Sequence, residues 1–467
     1  MNEFIFNNLT GAIIPHSGKL YGGPARDNIF KNLKGDKFKY IIYIAALHDN
    51  TNSNIDDSIY ILKEDTEFNN YFINCQAIYN KNLSNGAKKE HSFIWVESEL
   101  KENFKKAKIL VLCPTFSSDL IKLSNDIIKF IENNNKDNIL LLATTDLIHY
   151  GERFNNLNYL SYPHQLNKWR KEEILINDLL KNEINNENIN IMCGRNAIKT
   201  FIYISKYFNW NAKVIDYYDS YEMNNLINRY SITFDNNIEF VSYVSIIYGK
   251  FENNDCILLP IDIYLGIGLI KTIIHSNFTN IDPDLFKLPM WCNLNKLNNG
   301  IFVGTQQLNN DNNYETNSCC GSFQQDYKSI YDNIISSSKN LFNDAKNRWK
   351  KEYTINNLYK HKFKIDILDD KNIWKLYKSA TANENLILDG NYGVYLKIAE
   401  NKVATFLPCV AEENKDKLSI NEYMQYLSIK AGGEKDDWKN EDSLMYIYKC
   451  SSYIYEPETN SVKKLIK

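Results

Sequence analysis

The segment Asn138-Ile-Leu-Leu-Leu-Ala-Thr-Thr-Asp146-Leu-Ile-His149-Tyr-Gly151 decides the fold. Its first half is apolar without alternation, the pattern of a short strand buried on both faces, and such strands belong to parallel sheets covered by helices. Its second half places an acid and a histidine where the strand ends, and open α/β sheets bind ligands beyond the carboxyl ends of their strands. Two more histidines repeat the arrangement: His16 follows Gly11-Ala-Ile-Ile-Pro15, and His48 follows Tyr40-Ile-Ile-Tyr-Ile-Ala-Ala-Leu47. The chain has only seven histidines, so three at strand ends point to one shared site. Imidazole is the commonest protein ligand for transition metals and the usual acid/base near neutral pH.

Outward from this segment, strands are expected at Tyr40–Ala46, Lys108–Cys113, Asn138–Ala143 and Phe240–Tyr248, alternating with amphipathic helices. One such helix carries Leu120, Leu123, Ile127, Ile128 and Ile131 at helical spacing, with Ser117 or Ser118 expected as its N-cap. Strand, turn, helix, strand is an α/β grammar. After the polar break Phe251-Glu-Asn-Asn-Asp255 the grammar changes to alternating strands at Phe363–Leu368, Tyr392–Ile398 and Lys402–Phe406. A late helix opens with the capping box Ser419-Ile-Asn-Glu422 and stops at Gly432-Gly433. An α/β domain over residues 1–252 and an α+β domain over 256–467 are therefore expected.

The formal charge of −3, without a basic block, argues against a nucleic-acid partner. The apolar stretch Cys256–Ile274 contains Asp262 and Lys271 and reads as a buried helix, so no membrane partner is expected. Nine scattered cysteines without metal-site spacing fit a reducing compartment, and the N-terminus lacks a secretory signal; the expected location is cytoplasmic.

Four motifs in order give the first half a resemblance to the Memo family, whose fold is that of class III extradiol ring-cleavage dioxygenases. They are Pro15-His16-Ser17-Gly18 with Tyr21 and Gly23, Glu90-His91-Ser92, Thr145-Asp146-Leu-Ile-His149-Tyr-Gly-Glu-Arg-Phe154, and Cys193-Gly194-Arg195. The resemblance implies a mostly parallel sheet flanked by helices. It also implies a metal position reached by two histidines and a cysteine, with the Asp and His of the third motif lining the same pocket. On this chain that makes His16 and His48 metal ligands, His149 the acid/base and Asp146 its orienting group. His91, Tyr21 and Arg195 become further pocket residues, His91 read as supporting rather than ligating.

The chain departs from the family at the third ligand. The cysteine falls on Met223 in Tyr217-Tyr-Asp219-Ser-Tyr-Glu222-Met223. A thioether lacks the charge of a thiolate and favours soft Cu(I), whereas Asp219 or Glu222 as ligand would give a His-His-carboxylate set suited to Fe(II). The expected cofactor is therefore an iron or copper ion. The second half resembles the AMMECR family through Ala404-Thr-Phe-Leu-Pro-Cys-Val-Ala411, Lys430-Ala-Gly432 with Trp438, and Asn317-Ser-Cys319-Cys320-Gly321, where the family's R-G-C-I-G has lost its arginine. Cys319 is a further candidate pocket residue. That family is fused to, or encoded beside, Memo-like and radical-SAM proteins, which implies a radical-SAM partner. Two functions are expected in competition: a metal-dependent oxidoreductase acting on a small aromatic or redox-active substrate, or a non-catalytic adaptor that binds a peptide or small-molecule ligand in a degenerate metal site.

Overall fold

The unbroken apolar runs become strands buried along most or all of their length. In the computed structural model these are β1 (Leu9–Ile14), β2 (Tyr40–Ile44), β4 (Lys108–Pro114) and β5 (Ile139–Thr144), with β3 (Ile59–Ile61), β6 (His149–Tyr150), β7 (Asn211–Asp219) and β8 (Phe240–Gly249). The structure describes residues 9–31, 33, 37–48, 59–61, 90–115, 119–154, 164–220, 239–250, 258–279, 287–309, 311–323, 328–358, 360–369, 375–378, 389–459 and 461–465. The chain divides into two units: residues 2–262 with 289–293, and 263–288 with 294–467.

In the first unit the strands form one mixed sheet in the order β3-β4-β2-β5-β1-β8-β6, with β7 also paired to β8. Its centre is parallel: β4 with β2, β2 with β5, and β5 with β1. The register aligns Ile14 of β1 with Thr144 of β5, and Ile44 of β2 with Ala143. The carboxyl ends of β1, β2 and β5 therefore lie side by side, and the residues just past them, His16, His48 and Asp146, leave the sheet along one edge.

Helices α1 (Gly23–Phe30), α2 (His91–Asn103), α3 (Leu120–Asn133), α4 (His164–Leu180) and α5 (Arg195–Phe208) accompany this sheet. Helix α3 buries Leu123, Ile127, Ile128 and Ile131, as the spacing predicts. Its N-cap is Asp119, whose carboxylate accepts the Lys122 backbone N–H, rather than Ser117 or Ser118, which lie outside the described residues. An ionised cap one residue later also complements the positive end of the helix dipole.

Helix α6 (Pro260–Ser276) takes up the apolar stretch, and no described helix is long and apolar enough to cross a membrane. The second unit is antiparallel. One sheet runs β10-β9-β11-β16-β17, from β9 (Ile301–Leu308), β10 (Tyr314–Ser322), β11 (Lys362–Leu368), β16 (Cys450–Glu456) and β17 (Ser461–Lys464). The other runs β12-β15-β13-β14, from β12 (Lys375–Lys378), β13 (Gly393–Ala399), β14 (Lys402–Phe406) and β15 (Leu444–Tyr448). The unit also contains α7 (Ile330–Asp344), the π-helical turn Ala345–Trp349, α8 (Ile355–Leu358), α9 (Pro408–Asn414) and α10 (Ile420–Lys430). The Ser419–Glu422 capping box forms as read, and its helix buries Tyr423, Met424 and Leu427 against Val394, Leu396 and Met445.

Candidate metal centre

Three histidines meet at the sheet edge. One ring nitrogen from each of His16, His48 and His91 lies within 4.8 Å of the other two. The rings of His48 and His91 are 4.0 Å apart between centroids, and that of His16 stands edge-on to them at 4.8 and 5.6 Å. Bonds of about 2.0–2.1 Å place three nitrogens around one ion about 3.3–3.6 Å apart, so the widest pair need draw in by no more than about 1.5 Å for the rings to share an ion.

Glu90 organises two of the three. It is the N-cap of α2, accepting the Ser92 backbone N–H at 3.0 Å, which sets His91 as the first residue of the helix. The same carboxylate accepts from His48 Nδ1 at 2.9 Å and from the His48 backbone N–H at 2.9 Å, and lies 3.6 Å from His91 Nδ1. Burial works to raise the Glu90 carboxyl, but the hydrogen bonds from His48 and Ser92 outweigh it and hold it at about 2. An ionised Glu90 fixes the Nδ1–H tautomer of His48 and leaves the lone pair on Nε2, the carboxylate–histidine arrangement typical of metal sites.

His16 is buried on the other side. Its backbone N–H donates to Asp146 Oδ1 at 3.0 Å, its Nδ1 shares a 2.6 Å hydrogen bond with Thr144, and its Nε2 lies 3.6 Å from Asp146 Oδ2 and 3.5 Å from Cys193 Sγ. Burial, followed by the neighbouring His48 and His91 charges, pushes His16 well below the ordinary imidazole value, and burial also lowers His91. His16 and His91 are thus biased toward the neutral form that donates a lone pair. Burial raises the Asp146 carboxyl, against the influence of His149 and the His16 N–H.

Cys193 reaches His16 because Gly194 lets the chain pass against the end of β5. A Cβ at Gly194 would meet the Thr144 carbonyl oxygen at 2.1 Å. The Asp146 backbone N–H donates to Cys193 Sγ at 3.3 Å, and burial followed by the Asp146 charge raises the thiol. Arg26 secures the turn. Its guanidinium is fully buried, pairs with both oxygens of Glu99 on α2 at 2.7 Å, and donates to the Pro15 and Ser17 carbonyls that flank His16, at 3.1 and 2.7 Å. Gly22 is small enough to admit it, since a Cβ there would stand 2.6 Å from Arg26 Nη1.

Of the residues singled out from sequence, His16 and His48 come together as expected, and His91 joins them rather than standing behind them. His149 lies near enough to bear electrostatically on His16, His91 and Asp146; its Nδ1 meets the Leu147 carbonyl at 3.1 Å. Asp146 accepts from His16. Asp219 is buried at the end of β7, where its charge acts on Tyr243; it is not one of the grouped donors, which among the described residues are the three histidines. Glu222 and Met223 lie outside the described residues. Tyr21 packs beside Ala25, Tyr218 and Tyr243, Arg195 opens α5 and bonds Asn190, and Cys319 belongs to the second unit. Sequence reasoning passed over Glu90, Cys193 as a neighbour of His16, and Arg26. For Glu90 there was a usable signal, an acid directly ahead of a histidine at a helix start.

Residues 6–229 match the family model of Memo-like proteins, and residues 271–453 match the AMMECR1 model. The chain is a Memo-like domain fused to an AMMECR1 domain. All three clustered histidines fall in the Memo-like match, and Cys319 falls in the AMMECR1 match. Among solved structures, an uncharacterized protein from Pyrococcus horikoshii is similar at 16% identity and a TM-score of 0.37, over 43% of this chain and 95% of that one. No curated protein matches the chain.

Proposed function

We propose that the Memo-like domain is a metal-dependent oxidoreductase that holds one iron or copper ion on His16, His48 and His91 and acts on a small aromatic or redox-active substrate. The observation that carries this reading is the convergence of three imidazoles, two of them beside one ionised glutamate. Imidazole sets suit both metals, and the bound ion would supply Lewis acidity and one-electron chemistry. The protein's own groups prepare the substrate. His149 Nδ1 faces the Leu147 carbonyl, which makes Nε2 the nitrogen that accepts or returns a proton, and the Asp146 carboxyl, raised by burial, interacts with the same imidazole. Trp95 is 48% exposed with its ring 4.6 Å from His91, a flat apolar face for an aromatic ring.

The adaptor reading has one observation in its favour: among the described residues the grouped donors include no anionic ligand. A single experiment separates the two. The full chain, purified without affinity tag or chelator, is analysed for metal and titrated with Fe(II) and Cu(I), alongside His16→Ala, His91→Ala and Met223→Cys. The enzyme reading expects one ion per chain, lost in both alanine variants, and tighter binding with the added cysteine. Equal weak binding in all four proteins would replace it with the adaptor.

A further inference from the structure

The AMMECR1 domain contains a cavity of 870 Å³. It is bounded by residues of β9, β10 and β11 and by residues from α7, the π-helical turn, α9 and the end of α10. Most of its interior charge is already committed. Lys364 Nζ sits 3.2 Å from Asp366 Oδ1 and 2.6 Å from Cys409 Sγ, and Asp366 also accepts from Ser452. Asp344 receives Arg348 at 2.8 Å and the Cys319 N–H at 2.9 Å, while Arg348 also donates to the Cys319 carbonyl at 2.7 Å. Both of these carboxylates are therefore matched, and of the remaining charged lining residues Glu413, Lys430 and Arg348 are all exposed.

Lys430 is different. Among the described residues its one hydrogen bond is to the Thr405 carbonyl at 2.8 Å, its ammonium lies 5.0 Å from the centre of the Phe406 ring, and the residue is exposed. An ammonium offers three donors, so Lys430 keeps unused donors at the cavity wall. Burial, then the Asp366 charge, raise the Cys319 thiol against the influence of three cations, Lys364, Lys430 and Arg348. A cavity of this size with the accessible cations Lys430 and Arg348 on its wall suits a ligand of the opposite charge.

We infer that this cavity is a binding site for a small anionic molecule, held through a phosphate or carboxylate by Lys430 and Arg348 beside the Cys319 and Cys409 thiols. The arginine absent from the Asn317–Gly321 motif is then answered in space by Arg348, which comes from the π-helical turn to the same backbone segment.

The two thiols allow a direct test on the full chain. Alkylation by the anionic reagent iodoacetate is compared with that by neutral iodoacetamide, each cysteine being followed by peptide mass. At a site with no preference for anions the neutral reagent reacts at least as fast. Here iodoacetate is expected to react faster at Cys319 or Cys409, to saturate, and to be slowed by inorganic phosphate or succinate but not by sodium chloride of equal ionic strength. The stronger protector of the two identifies the headgroup as phosphoryl or carboxylate. Lys430→Gln should weaken that protection about tenfold, the value of one charge-assisted hydrogen bond, while leaving the iodoacetamide rate unchanged. Iodoacetamide reacting as fast at both thiols, or chloride protecting as well as phosphate and succinate, overturns the inference. If burial keeps both thiols unreactive, thermal melts decide: wild type should gain stability from phosphate or succinate beyond the chloride control and Lys430→Gln should not, and no such gain overturns it.

Discussion

The Arg26–Glu99 pair offers the sharpest test of how the Memo-like domain holds its histidines. Both side chains are almost wholly buried, at 0% and 3% exposure, with two parallel 2.7 Å hydrogen bonds between them. Arg26→Met leaves the Glu99 carboxylate buried without its partner, and breaking such a pair costs about 3–5 kcal/mol. For a domain of this size each kcal/mol moves the midpoint by roughly 2–4 °C, so the melt should fall on the order of 10 °C. Replacing both residues, as Arg26→Met with Glu99→Leu, removes the stranded charge and should recover at least about 2 kcal/mol of the sum of the single losses. Metal affinity should not recover. The Pro15 and Ser17 carbonyls on either side of His16 still lack the guanidinium that fixes them, and His16 is no longer tied to the helix that begins with His91. Melts by circular dichroism and metal titration of the four proteins of the cycle give both quantities. Strict additivity of the two single losses would refute the electrostatic argument, and wild-type metal affinity in the double variant would refute the positioning argument.

Lys271 is buried with its ammonium unbonded, lying 3.5 Å from the Tyr455 ring, and burial lowers its affinity for a proton. Because its folded pKa is below the unfolded one, the penalty is present at neutral pH and fades as pH rises toward about 10.4; Lys271→Met should therefore stabilise the AMMECR1 domain by about 1–3 kcal/mol at pH 7 and progressively less in alkaline melts. Metal affinity of the Memo-like domain should stay flat through neutral pH and fall only below about 6.5, because His16 and His91 are held under the ordinary imidazole value; a fall that begins above pH 7 in a titration series would contradict the lowering of these two.

The central strands were legible because burial on both faces leaves an unmistakable apolar run. Lys402–Phe406 was placed to the residue, and the other expected strands to within two residues at either end. His16 and His48 were legible for the same reason, since each follows such a run and the parallel register brings the ends together. His91 was not. It starts a helix rather than ending a strand, and its place in the cluster depends on Glu90, a residue whose second role as acceptor from His48 involves a partner 42 positions away. Arg26 carries no local signature at all, because its meaning lies in Glu99, 73 positions on, and in two backbone carbonyls.

These misses share one cause, and it bears on how the site works. Periodicity reports which residues face a core, while hydrogen-bonded charge reports which elements are locked together, and only the first is written locally in a chain. Here the two buried carboxylates of α2 divide the labour: Glu90 at its start orients His48 beside His91, and Glu99 two turns later holds Arg26 on the His16 turn. One helix therefore sets the positions of all three imidazoles. A shift of α2 relative to the sheet would move His91 directly, His48 through Glu90 and His16 through Arg26, so the cluster responds as a unit rather than losing one ligand at a time.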